Sequence, residues 1–286
     1  MCWTAEAKCV TLAGVLIHRI RRVSPPLAPH VEHLWLARGH IQSTWRNRIL
    51  PDGAIELIFN LGDPQKLCAS DDLRKNTVFR SSWISGERTS PIVIEETGHV
   101  DLVGVRLRAG GGWPFLGVPV REFTDQVIEL ESFLERDIVD LRERLGELSD
   151  DDARFDLVES WLIQRARARF QPTPSVTRAL SMIRTEPHGM RVGRIASEIG
   201  ISHKHLLREF DRCVGLTPKL FGRLCSFQRV IHFVGQKLEV DWASIAATCG
   251  YYDQAHLIHE FRAFSGLTPA SYLCRRGPFL NYLEIS

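Results

Sequence analysis

Two short runs in the last third of the chain carry side chains suited to reading flat edges that present hydrogen-bonding atoms. In the first, His203, Lys204, Leu207 and Arg208 follow Ser202; in the second, Gln254, Ala255, Ile258 and His259 follow Asp253, with His256 nearby. An arginine can donate two parallel bonds to guanine O6 and N7, a glutamine can pair with adenine, and a leucine can only touch a thymine methyl or fill space. Arg208, Gln254 and Leu207 are of those three kinds. Glu209 and Glu260 would oppose phosphate if they pointed at it, so both are expected to face away.

The other chemistry-bearing residues have no such company. His30 and His33 could share a metal only if they were helical and a third ligand came from elsewhere, and Pro29 interrupts a helix there. The seven cysteines, Cys2, Cys9, Cys68, Cys213, Cys225, Cys249 and Cys274, form no CxxC pair and no zinc spacing. They read as reduced thiols, with Cys213 and Cys249 as small buried hydrophobes. Gly110-Gly111-Gly112 lacks the trailing GK[ST] of a phosphate loop, and with no helix expected directly behind it a flexible turn is the reading. No catalytic set, metal or cofactor is expected, and the chain does not read as an enzyme.

The elements that must position the two runs repeat. Arg194-Ile-Ala-Ser-Glu-Ile-Gly200 returns as Ser244-Ile-Ala-Ala-Thr-Cys-Gly250, and Phe210-Asp-Arg-Cys-Val-Gly-Leu-Thr-Pro218 returns as Phe261-Arg-Ala-Phe-Ser-Gly-Leu-Thr-Pro269. One extra residue lies between Gly250 and Phe261. Each copy meets the needs of a helix-turn-helix. Ala196 and Ala246 let two short helices cross closely, and four residues later Gly200 and Gly250 suit a tight turn. Ser202 and Asp253 stand at N-cap positions, while Leu206 with Phe210 and Leu257 with Phe261 mark the inner face.

Between the copies, Thr217 and Pro218 start a helix whose apolar face is Leu220, Phe221, Leu224, Phe227, Val230, Ile231 and Val234. Running to about Gln236, it would be ~30 Å long, near the ~34 Å between successive major-groove faces on one side of B-DNA. One chain could thus offer two recognition helices to adjacent grooves; a helical bundle used for protein contacts is the alternative.

These residues resemble the C-terminal domain of the AraC/XylS transcription regulators. The resemblance rests on Ile195-Ala196, Gly200, Ser202, Leu206, Phe210 and Gly215-Leu-Thr-Pro218, then on Ile245-Ala246, Gly250-Tyr251, Asp253-Gln254, Leu257, Phe261 and Gly266-Leu-Thr-Pro269-Ala-Ser-Tyr272, and covers about residues 173 to 275. It implies a bacterial-type, sequence-specific regulator whose Lys204, Leu207 and Arg208 face bases. The first unit is expected to read sequence and the second mainly to position the protein. His203, Lys204, Leu207, Arg208, Gln254, His256 and His259 are the expected DNA-contacting residues. More loosely, Pro51-Asp52-Gly53, Phe59-Asn60-Leu61-Gly62-Asp63 and Pro114-Phe-Leu-Gly117 look like the β-rich sensor domains attached to such regulators.

From Trp35 to Arg108 the runs Ala54–Leu61, Asn76–Ile84, Pro91–Thr97 and Val100–Arg108 alternate apolar and polar residues between turn signals and read as strands of a sandwich or barrel. Such a fold often hosts a small ligand in its mouth. Thr124 is expected to cap a helix carrying Val127, Ile128, Leu130, Phe133 and Leu134, followed by Ile138, Leu141 and Leu145. A further helix starts at Ser149, with Phe155, Val158, Trp161 and Leu162 on one face, to pack on the strands or to join two subunits. Gln171-Pro-Thr-Pro-Ser175 reads as a linker.

The expected fold is a two-domain α+β chain: a β-rich domain at 1–120, a helical connector at 121–171 and an all-α tandem unit at 172–286. Length agrees, since 286 residues suit two domains. So does charge: residues 1–171 hold 22 Lys+Arg against 25 Asp+Glu, and residues 172–286 hold 14 against 9. At 44% hydrophobic and 24% charged, the composition excludes collagen-like and largely disordered chains. No stretch reaches the ~18 apolar residues of a membrane span. Val10–Ile17 has its basic residues behind it, the wrong order for a secretory signal, so a cytoplasmic protein is expected. Double-stranded DNA is the expected partner, with a small-molecule effector and a homodimer left open. The alternatives are an alkyl-accepting DNA-repair protein carrying this reader, for which Cys68 lacks a flanking Pro or His, and a regulator whose front domain only dimerises.

Overall fold

The computed structural model describes residues 4–11, 14–69, 73–134, 136–166, 173–187, 191–235, 240–277 and 279–285. The front of the chain contains β1 (Thr4–Thr11), β2 (Gly14–Arg21), β3 (Val31–Ile49), β4 (Ile55–Asn60), β5 (Gln65–Cys68), β6 (Asn76–Phe79), β7 (Ser82–Ser85) and β8 (Ile92–Leu107). Helix α1 (Trp113–Leu116), a 3-10 turn at Val120–Phe123, β9 (Val127–Glu129) and helices α2 (Glu131–Leu134), α3 (Arg136–Glu147) and α4 (Asp151–Ala166) follow. The rest is helical, with α5 (Pro174–Thr185), α6 (Val192–Ile199), α7 (His203–Cys213), α8 (Pro218–Gly235), α9 (Trp242–Thr248), α10 (Gln254–Ser265) and α11 (Pro269–Arg275), until a last strand, β10 (Tyr282–Ile285).

The strands form one open antiparallel sheet in the order β1-β2-β3-β8-β4-β7-β9, with β5 and β10 flanking β8 and β3. Alternation buries both faces. Leu34, Leu36, Leu57, Phe59, Val103, Val105 and Leu107 share one core with Ile138, Leu141 and Leu145 of α3 and Phe155, Val158 and Leu162 of α4. The opposite face gathers Leu16, Ile41, Ile58, Phe79, Trp83, Val100 and Leu102, with Trp35 and Trp45 partly buried against them. The apolar stripe of α4 thus packs on the sheet. Arginines fix its N-terminal half there: Asp151 accepts from Arg19 and Arg38 at 3.0 and 2.7 Å, and Arg154 donates to the buried Asp101 at 2.8 Å.

Several local expectations are corrected. Asn76–Ile84 is two strands, because β6 pairs with β5 while β7 pairs with β4. Pro91–Thr97 and Val100–Arg108 join in one strand, β8, where Gly98 absorbs the bend at φ +75° and Asp63 accepts the His99 N–H at 2.7 Å. The strands of the front domain are hydrogen-bonded into one sheet, which includes β1 and β2 ahead of Trp35. Thr124 starts no helix: it closes the 3-10 turn with extended backbone, and the β-branched Val127 and Ile128 pair with β7 instead. Helix is described only from Glu131 onward, as α2 and α3. A short helix, α1, does open directly behind Gly112. His33 lies in β3, which removes the helical spacing a shared metal would need. Among the described residues no three His, Cys, Asp or Glu side chains converge as metal ligands, and no helix is long and apolar enough to cross a membrane. Gln171, Pro172 and Gln236 lie outside the described residues.

Candidate nucleic-acid interface

In the first unit α6 ends where Gly200 adopts φ +80°, and α7 begins behind Ser202, whose hydroxyl accepts the His205 N–H at 3.2 Å. Ala196 is buried at the crossing, and Leu206, Phe210 and Cys213 turn into the core. Because helical neighbours three and four apart share a face, burying those residues leaves His203, Lys204, Leu207 and Arg208 open. Leu207 is 37% exposed. The Arg208 guanidinium is held by His205, with Nη2 2.8 Å from Nδ1.

The second unit repeats this construction. Asp241 caps α9, Gly250 turns the chain at φ +82°, and Asp253 accepts the His256 N–H at 2.7 Å to start α10. Leu257, Phe261 and Phe264 are buried. Gln254, Ala255 and His259 are exposed, but two neighbours are not brought to the same surface. His256 folds back over the turn: its Nδ1 accepts the Tyr252 N–H at 3.3 Å and its ring meets Tyr251 edge-on. Ile258 packs partly against the core.

One helix carries both units. Phe221 of α8 meets Phe210 with ring centroids 6.5 Å apart, and Phe227, further along, meets Phe261 and Phe264 at 5.1 and 5.2 Å. Glu209 and Glu260 both turn inward. Arg212 donates to Glu209 at 2.6 Å, and Arg223 donates to both oxygens of Glu260 at 2.6 and 3.0 Å. Burial alone would raise the Glu260 carboxyl, but the Arg223 bonds outweigh it and hold the group below its ordinary range. No glutamate of these two therefore competes for phosphate on the open face.

Two residues of this surface escaped the sequence reading. His205, three before Arg208, is the partner that orients it, a relation readable from helical spacing. Tyr252, 92% exposed just ahead of the α10 cap, is the most open large apolar side chain among the described residues. A polar-tipped aromatic left in solvent beside the second reading run was the available signal.

Residues 195–275 match the family described as a helix-turn-helix domain, and residues 21–129 match a domain of unknown function, DUF6597. No curated protein matches the chain. Among solved structures, ToxT from Vibrio cholerae is 12% identical over 81% of this chain and 97% of that one, with a TM-score of 0.45. An AraC-type regulator from Chromobacterium violaceum is 22% identical over 34% of this chain and 88% of that one, with a TM-score of 0.32. A DNA-binding transcriptional dual regulator from Escherichia coli K-12 is 27% identical over 36% and 91%, with a TM-score of 0.32. Residues 195–275 are a helix-turn-helix domain, set behind a β-rich N-terminal domain.

Proposed function

We propose that the chain is a sequence-specific transcription regulator that offers α7 and α10 to successive major-groove faces of double-stranded DNA. The carrying observation is the repeat itself: two equivalent helices, each with its apolar side and its glutamate turned inward and a polar face left open. On α7 that face holds His203, Lys204, Leu207 and Arg208, and it reads bases. On α10 it holds Gln254 and His259, with Tyr252 and His256 at the turn, and it mainly positions the protein. Duplexes enriched from a random-sequence pool by the full chain test this. Binding should be selective for the enriched sequence and should weaken steeply as salt rises, because Lys and Arg displace condensed counterions. Failure to enrich any sequence would refute it.

The front domain is proposed to bind a small-molecule effector. What supports this is polarity within an aromatic face: the Trp45 indole N–H is buried without a hydrogen-bond partner, and the buried Glu96, opposite it in register, is held by Gln65 at 2.6 Å. Burial pushes the Glu96 carboxyl up to about 7. A few polar atoms among Trp35, Trp83 and Phe79 are what orient a ligand in an apolar site. A raised melting temperature with one metabolite of a broad panel would support this; no change across the panel would favour a front domain that only dimerises. The alkyl-acceptor alternative fares worse. Cys68 is buried, and burial with the neighbouring Glu95 raises its thiol, which disfavours the thiolate such chemistry needs.

A further inference from the structure

The front domain touches the same turn in both helix-turn-helix units. In the first copy of Gly-Leu-Thr-Pro, the Thr124 hydroxyl donates to the Gly215 carbonyl at 2.8 Å. A Cβ on Gly215 would lie 2.8 Å from Thr124 Oγ1 and 3.0 Å from Val120, so the turn and the Val120–Phe123 segment are in close approach. In the second copy, Arg48 of β3 donates to the Ser265 carbonyl at 3.3 Å, and a Cβ on Gly266 would lie 3.0 Å from the Arg48 guanidinium. Gly215 and Gly266 are equivalent positions of the repeat. Thr124 and Arg48 come from distant parts of one sheet domain.

Each grip is reinforced by its surroundings. Beside the first, Arg121 pairs with Asp211 at 3.4 Å and Arg212 lies over the Trp113 ring at 4.9 Å. Beside the second, β10 leaves the reader and adds to the sheet along Arg46–Ile49, with Leu283 opposite Arg48 and buried in the reader's core. Between them, Gln228 of α8 donates to the Pro51 carbonyl at 2.5 Å and to Asn281 at 3.1 Å. Sheet contacts therefore run along the reader from one unit to the other, on a side that leaves His203, Lys204, Arg208, Gln254 and His259 open.

We propose that the front domain acts as a splint on the reader: Thr124 and Arg48 hold the equivalent Gly-Leu-Thr-Pro turns of the two units and so fix the groove-to-groove spacing the chain accepts. This rests on the reading that both units engage DNA. Helix α8 joins the units at one core, and a second attachment to each unit restrains the angle between α7 and α10. A shift between β3 and the Val120–Phe123 turn would change that angle, which gives the sheet domain a route to the reader. Thr124 and Arg48 are positioning residues in this account.

The test compares duplexes enriched by the wild-type full chain with the same duplexes carrying one or two base pairs inserted between the two contacted grooves, and with duplexes keeping only one groove's sequence. The wild type should strongly prefer the enriched spacing. In the Thr124→Val, Arg48→Met double variant that preference should fall about tenfold or more, the scale of one charge-assisted hydrogen bond. Affinity for the single-groove duplexes should stay unchanged. Thr124→Ser, which keeps the hydroxyl, should restore preference in the single-site series. Should the double variant not fold, Arg48→Lys and Thr124→Val are measured singly, each with a smaller loss of spacing preference. A preference that survives in the folded variants, or an equal loss on every duplex, overturns the splint. A wild type that enriches no duplex overturns the DNA-reading account instead.

Discussion

Arg208 Nη2 stands 2.8 Å from His205 Nδ1 on the open side of α7. A guanidinium only donates, so in this hydrogen bond the His205 Nδ1 accepts. The arginine is held in one orientation before any ligand arrives, which lowers the cost of ordering it at a base edge. Replacing Arg208 by Ala should cost about 1–3 kcal/mol of binding to the enriched sequence and relax preference at one base pair. Titrations against single-base variants of the duplex check this. An equal loss on every sequence would make Arg208 a phosphate contact.

Glu87 sits where the two domains meet, its carboxyl close to Gly53, around which Phe221 and Leu224 of α8 also pack. Neither oxygen has a hydrogen-bond partner. Burial, and secondarily Asp52, raise the group from 4.5 to about 8, against the weaker pull of Arg106 and Arg184. The folded chain therefore keeps a proton that the unfolded chain loses, and the stability this group contributes is full below pH 4.5 and lost by about pH 8. The unfolding free energy of the wild type minus that of Glu87→Gln should fall across that window by about 1.4 kcal/mol per pH unit, then level off. Urea unfolding at several pH values measures it, and a flat difference would contradict it.

The Arg223–Glu260 pair closes the inner side of the second unit. Arg223→Met leaves Glu260 buried with its bidentate partner gone, and should destabilise the chain by about 2 kcal/mol. Adding Glu260→Gln should recover part of that loss. The urea midpoints of the single and double variants decide it; an unshifted midpoint in Arg223→Met would show that the pair contributes nothing.

The reader was legible because its signals are local. Ala196, Gly200 and Ser202 lie within seven residues, and their recurrence as Ala246, Gly250 and Asp253 marks the crossing, the turn and the cap in each copy. The sheet domain was legible only as strand-rich. Its strand limits depend on partners distant in sequence: Arg80 and Ser81 break a run because its two halves pair with different neighbours, while Gly98 keeps two runs continuous. Val127 and Ile128 fit a helical period but take the strand that β7 offers them. Of the candidate contact residues, His256 depends on how its ring settles over Tyr251, which spacing does not reveal. The meetings of Thr124 with Gly215 and Arg48 with Gly266 join residues far apart in the chain, and no pattern in the sequence announces them.

The central claim is that one chain places two helices in the double helix from one side. Hydroxyl-radical cleavage of an enriched duplex with the full chain bound tests it most directly. Two protected patches about 10 base pairs apart on the same side of the duplex are predicted. A single patch, or protection spread evenly around the duplex, would contradict the account.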